Sequence, residues 1–216
     1  MSKRAEKSTS VMSHGAMQLG AVQIDTYNAE LRDSEGFIGD RASARAFRAI
    51  LEDERDRVRR VDEDPMGGVK SDKISKRRLD RLIAEGDAEG AGLVLGTIEE
   101  FAQEFAAVIR RFARHKEWAG TQRIVVGGGL RASRIGELAI GRTAVLLKMA
   151  GLSIELIPIR HHPDEAGLIG CVHLAPRWMF RGHDGILAVD IGGSNIRVGV
   201  VQLNLRKSAD LTKAKI

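Results

Sequence analysis

The sequence predicts an α/β protein built on a helical N-terminal region, and three observations predict it. Downstream of Gly120, short apolar runs alternate with segments of helical period, in the order strand, helix, strand, helix. The run "GILAVDIGGSNIRVGVVQLN" (185–204) then sets two alternating strands on either side of Gly-Gly-Ser-Asn, as a hairpin would. Upstream of Gly120 the apolar residues recur three and four positions apart instead. Composition suits a globular chain, with 43% hydrophobic and 29% charged among 216 residues, enough for one ordinary domain or two small ones. Aromatics make up only 4%, so aliphatic side chains and alanine must fill the core.

Taken in order, residues 1–36 carry no sustained period and read as an irregular arm. From Asp40, "DRASARAFRAILEDERDRVRRV" reads as a helix capped by Asp40, with Phe47, Ile50, Leu51 and Val58 as its apolar stripe. Pro65 and Gly67-Gly68 make "DEDPMGGVKSDK" a loop. "ISKRRLDRLIAEGD" is a second helix, with Ile74, Leu79, Leu82 and Ile83 on one side. "TIEEFAQEFAAVIRRFARH" is the best-formed helix; Thr97 and Glu100 suggest a capping box, although an earlier start also fits. "RIVVGGGL" is a strand running into glycines, and "ASRIGELAIGRTAVLLKMAG" a helix with Gly151 as its C′ residue. "SIELIPI" is the second strand. "HHPDEAGLIGCVHLA" is a helix with Pro163 at N1 and Asp164 and Glu165 in its first turn.

The hairpin carries the most chemistry. With the turn centred on Gly193-Ser194, Asp190 lies opposite Arg197 and Ile191 opposite Ile196. Period-two geometry then gives one face to Leu187, Val189, Ile191, Ile196, Val198 and Val200, an apolar surface expected to meet the core. The other face carries Ala188, Asp190, Arg197 and Gly199; it is small, polar and roomy, as a ligand cleft would be. Glycine amides at Gly192 and Gly193 can approach an anion closely, and Ser194 and Asn195 add side-chain hydrogen bonds. A carboxylate beside polyphosphate needs a cation between them, so Asp190 suggests Mg²⁺. A plain type I′ hairpin with an exposed Asp–Arg pair accounts for the same residues.

"ILAVDIGGSNIRVGVV" resembles the first phosphate-binding hairpin of the ROK family (repressors, open reading frames and sugar kinases), within the actin-like ATPase superfamily. The family pattern is Asp-Ile-Gly-Gly-Thr; Ser194 replaces the threonine and keeps the hydroxyl. "RIVVGGGL" is similar to the family's adenosine motif, the helical segment from residue 79 to the pair that leads into it, and "HHPDEAGLIGCVHLA" to its closing helix. The resemblance spans roughly residues 79 to 206. It implies an actin-like (ribonuclease H-like) fold and an ATP-dependent hexose kinase with ATP and Mg²⁺ as cofactors. Asp190, Gly192, Gly193, Ser194, Asn195 and Arg197 would face phosphate and metal, and Gly127, Gly128 and Gly129 the adenosine. Arg197 would either neutralise phosphate or orient Asp190.

The motifs stand in reversed order, as a circular permutation would place them. The expected division is an arm over 1–36, a helical and nucleotide-binding segment over 37–180, and over 181–216 a hairpin that begins a second lobe. The family's second Gly-Thr-Gly turn, its Asn-Asp base and its zinc cluster have no counterpart here, so no catalytic residue is assigned and no turnover is expected from these residues alone. "RKSADLTKAKI" reads as a turn into a third strand that barely begins, so the 216 residues are expected to be the N-terminal portion of a longer protein.

Other classes leave weaker marks. A single cysteine, Cys171, excludes an internal disulfide, and no apolar run is of membrane-spanning length, so a cytoplasmic protein is expected. The net charge of +5 lies mostly in mixed runs such as "EDERDRVRR", so nucleic acid is not expected as a partner. Partners are a small sugar and ATP, with a homodimer allowed. Gly127, Gly129 and Ala132 also fit the Gly-x-Gly-x-x-Ala dinucleotide fingerprint, with Arg160 placed to favour NADP. A non-catalytic sensor of ROK type is the third reading. His161, His162, Cys171 and His173 are better explained by caps and core than by zinc. Trp118 and Trp178 are expected to anchor packing.

Overall fold

The computed structural model describes residues 31–191 and 196–216. After a two-residue antiparallel ladder, β1 (Arg32–Asp33) with β2 (Gly36–Phe37), a 3-10 turn leads into helix α1 (Ala44–Arg59). Its cap is Ser43 and not Asp40: the Ser43 hydroxyl accepts from the Ala46 amide at 3.2 Å. The short 3-10 turn over Ile38–Ala42 absorbs Asp40 and moves the helix start beyond it.

Helix α2 (Lys76–Glu85) is capped by Ser75 and helix α3 (Ala88–Phe112) by Asp87, whose carboxylate accepts from Gly90 N at 2.6 Å. Thr97 therefore lies inside α3, fully buried, its hydroxyl donating to the Leu93 carbonyl, and the expected capping box does not form. The nine residues upstream of Thr97 within the helix are small or apolar apart from Glu89, and they continue the helical period without a visible stop. Helix α3 is the axis of the helical part. Phe47 and Leu51 of α1, Leu79 of α2, Ile98 and Phe101 of α3 and, further along the chain, Ile135 share one core, and the Phe47 and Phe101 rings meet edge to face at 5.5 Å.

The loop between α1 and α2 is held by a buried cation. Arg55 is fully buried, and its guanidinium donates to Asp64, Ser71 and the carbonyls of Gly67 and Val69 at 2.6–2.9 Å. Burial opposes ionisation of Asp64, yet hydrogen bonds from Arg55, the Met66 amide and Arg59 hold its pKa below the usual range. This pins Met66 and Ile74 into the core.

Strand β3 (Arg123–Val126), helix α4 (Arg134–Met149) and strand β4 (Glu155–Pro158) form a βαβ unit, with β3 and β4 parallel and in register from Arg123↔Glu155 to Val126↔Pro158. Gly151 has φ +76°, Gly151 N donates to Lys148 O and Leu152 N to Leu147 O; this is the Schellman closure expected of a C′ glycine. Helix α5 (Pro163–Gly170) starts at His162, whose Nδ1 accepts from the Asp164 amide. Strands β5 (Gly185–Ile191) and β6 (Ile196–Gln202) then form an antiparallel hairpin, and Lys215 returns to bridge Gln202. The third strand is thus reduced to one bridge among the described residues, while Leu203, Leu211 and Ala214 join a core with α5 and β5. No helix among the described residues is long and apolar enough to cross a membrane.

Candidate functional site

Two sets of predicted site residues neighbour α5, which packs on the hairpin and also reaches the turn before α4. At the first, β3 ends at Val126 and the chain passes through Gly127–Gly129. Gly128 has φ +86° and ψ 168°, a conformation that side chains rarely adopt. A 3-10 turn over Gly129–Ala132 follows, and only then does α4 begin, capped by Ser133. The Ser133 hydroxyl donates to Leu130 O at 2.5 Å, and a Cβ on Gly136 would lie 1.9 Å from that same carbonyl. The glycine turn can fold back on the helix only because position 136 has no side chain.

Helix α2 secures this turn at two points. The Asp80 carboxylate accepts from the Ile135 amide at 2.9 Å, and the Lys76 ammonium donates to Gly129 O at 2.6 Å. A carboxylate therefore already occupies the N-terminus of α4, where a dinucleotide fold would place pyrophosphate. Beside the turn lies a cavity of about 190 Å³. Gly127–Gly129 form one side, and Phe47, Phe101 and Phe105 belong to its lining. Arg131 is the one charged residue in that lining, which is otherwise uncharged. The volume is below the ~300–1,000 Å³ of pockets for drug-sized ligands, and suits a single ring system. Sequence reasoning found the glycines but missed Lys76, Asp80 and the three phenylalanines. Their apolar period marked the rings as core, which they are, and the contact from α2 joins positions more than fifty residues apart.

At the second set, the pairing is the one expected: Asp190↔Arg197, Ile191↔Ile196 and Ala188↔Gly199. The assignment of the faces is not. The side of Ala188, Asp190, Arg197 and Gly199 does not line an open cleft but packs on α5. Ala188 is 3% exposed, and a Cβ on Gly199 would meet Leu168 at 3.1 Å. Gly167 of α5 lies so close to Asp190 that a Cβ there would stand 2.5 Å from its carboxylate. Arg197 turns to Asp164, in the first turn of α5, with bonds of 2.8 and 3.1 Å, and Asp190 is 3.7 Å from the same guanidinium. The small residues make room for a helix: their size lets α5 approach, and the ion pair fixes it. The six aliphatic side chains expected in the core are instead all exposed.

Gly192, Gly193, Ser194 and Asn195 lie outside the described residues. Of the hairpin's predicted phosphate and metal group, the structure thus places Asp190 and Arg197 together. The cavity at Gly127–Gly129 is lined by neither. The charged group that faces Asp190 is the Arg197 guanidinium, 3.7 Å from its carboxylate. Among the described residues no cluster of three His, Cys, Asp or Glu side chains could hold a metal ion. Cys171, expected in the core, is partly buried against the core shared by α5 and the hairpin, and its thiol donates to Gly167 O. Trp118 packs on Phe112 at 4.9 Å, whereas Trp178 is 67% exposed and anchors nothing, because Phe180 takes the buried position of that turn. Comparison with known proteins finds no family model, curated protein or solved structure that matches the chain.

Proposed function

We propose that the chain binds an adenine nucleotide and represents part of a ROK-type, ATP-dependent sugar kinase with its motifs in permuted order. The observation that carries this reading is the glycine turn: it borders a largely apolar cavity sized for one ring system, with Arg131 its one charged residue, while Asp80 fills the anion position at the adjoining helix. Such a site takes a base and leaves the phosphates elsewhere, which suits adenosine at Gly127, Gly128 and Gly129. The same occupancy weighs against the NADP reading, which needs that helix N-terminus for pyrophosphate. The phosphate end of this reading rests on the resemblance of the hairpin turn, because Asp190 and Arg197 are engaged with α5 through Gly167 and Asp164 and would have to exchange those contacts for phosphate. Any Mg²⁺ would enter on the nucleotide's own phosphates, and no step is assigned to it. The chain has no residue in the role of the base, so binding without turnover is the expected behaviour of these residues; a ROK-like sensor would share it.

Calorimetry with adenosine, ATP with Mg²⁺, and NADP tests the proposal. Adenosine and ATP should bind and compete with one another, and Gly128→Val should abolish both. Binding of NADP with no response to adenosine would refute the assignment of the glycine turn.

A further inference from the structure

Two cations stand at the glycine turn beside the cavity, and neither has an acidic partner among the described residues. Arg131 lies in the 3-10 turn over Gly129–Ala132 and belongs to the cavity's lining. Lys76 reaches the same turn from α2 and gives one of its three protons to Gly129 O at 2.6 Å. Arg41, Arg48, Arg142 and Arg197 are half-buried as Arg131 is, and each has an acceptor in the protein. Arg41 pairs with Asp33, Arg142 with Glu99 and Arg197 with Asp164, while Arg48 donates to Ser71 O. The Arg131 amide donates to Gly128 O, but its guanidinium makes no hydrogen bond or ion pair with the described residues. The acids closest in the chain and at the helix start are already engaged: Asp80 by the Ile135 amide and Glu137 by Arg134. The turn thus carries positive charge that the protein leaves unbalanced. A half-buried guanidinium loses hydration without a counter-charge to offset the loss, and an anionic group on a ligand would supply one.

We propose, resting on the adenine reading of the cavity, that Arg131 with Lys76 beside it holds the first phosphate of a nucleotide, so that the site selects nucleoside 5′-phosphates over nucleosides. The cavity admits one ring system and Asp80 fills the start of α4. The phosphate next to the ribose is therefore left to the rim of the turn, where both cations are. A phosphate monoester carries a charge of about −1.5 to −2 at pH 7, which one guanidinium and one ammonium balance. The planar guanidinium can meet two phosphate oxygens at once, and the ammonium, with two protons still free, adds a point charge. Further phosphates would run outward past the turn, so AMP and ATP gain alike from this contact.

Calorimetry on the 216-residue chain with adenosine, AMP and ATP tests the selection. AMP and ATP should each bind at least ~10-fold more tightly than adenosine, the range of one charge-assisted pair. Arg131→Gln should bring AMP down to the affinity of adenosine and leave adenosine unchanged, while Arg131→Lys, which keeps the charge and loses the fork, should fall between. Circular dichroism checks that each variant is folded. Phenylglyoxal, which modifies accessible guanidinium groups, gives a second reading without substitution: at equal occupancy AMP should shield the Arg131 peptide more than adenosine does. Equal affinities for AMP and adenosine, a loss in Arg131→Gln that falls on both alike, or equal shielding by both would overturn the role of Arg131 and leave the nucleotide reading standing. Failure of all three compounds to bind would instead refute the nucleotide reading, and the phosphate contact with it.

Discussion

Replacing Arg55 by methionine removes a buried cation without opening much space. In the native structure its Nε donates to Asp64 at 2.9 Å, one Nη to Ser71 at 2.8 Å, and the other to Gly67 O at 2.8 Å and Val69 O at 2.6 Å. After substitution Asp64 keeps Arg59 and the Met66 amide, but Gly67 O, Val69 O and the Ser71 hydroxyl lose their donor. The buried Ser71 hydroxyl left unpaired costs about 1–3 kcal/mol, the carbonyls of the exposed Gly67 and Val69 can turn to water, and breaking a buried ion pair costs about 3–5 kcal/mol. These effects share atoms and do not add, so the expected loss is about 3–5 kcal/mol, a large part of the ~5–15 kcal/mol of a typical domain. Urea denaturation followed by circular dichroism should show a lower midpoint at unchanged slope. Arg57→Met, which removes an exposed pair with Glu54, should change stability by no more than ~0.5 kcal/mol. A loss below about 1 kcal/mol for Arg55→Met would show that the loop is held by its apolar residues and not by the guanidinium.

Acid should weaken the same framework. Hydrogen bonding from Ser71 and Arg59 lowers the Glu52 carboxyl to about 2, and Arg142 with Gln103 does the same for Glu99. Both lie below the ordinary 4.5 of an unfolded glutamate, so their contribution is complete above about pH 4.5 and disappears as pH falls toward about 2. Thermal melts over that interval should fall steadily, and the Glu99→Gln variant should lose part of the slope. Asp80→Ala removes the acceptor at the start of α4 and should cost about 0.5–2 kcal/mol, with faster exchange of the Ile135 amide. Equal exchange in both proteins would mean that Ser133 alone caps the helix.

Most elements were legible because their period is local. The stripe Phe47, Ile50 and Leu51, the Pro163 start of α5 and the Gly151 stop of α4 all act within a turn or two of chain, and each stands where the pattern puts it. The hairpin register followed from the same local alternation. Which face of that hairpin would be buried did not, because hydrophobicity alone favours the face of Leu187 and Val189. The structure instead rewards size and charge: Ala188 and Gly199 admit α5, and Arg197 reaches Asp164, over thirty residues away. Capping suffered from a similar ambiguity, since Asp40, Ser43, Asp87 and Thr97 are all acceptable caps and only the backbone chooses among them. At the glycine turn the conformational signal lay in the sequence, whereas the carboxylate that occupies its helix came from α2 and left no trace in the motif.

Photolabelling with 8-azido-ATP addresses the location of the base directly. The label should attach to the α3 and α4 peptides that line the cavity, around Phe101, Phe105 and Ile140, and excess adenosine should block it. Labelling confined to the hairpin, or labelling that adenosine leaves unchanged, would contradict a nucleotide site at Gly127–Gly129.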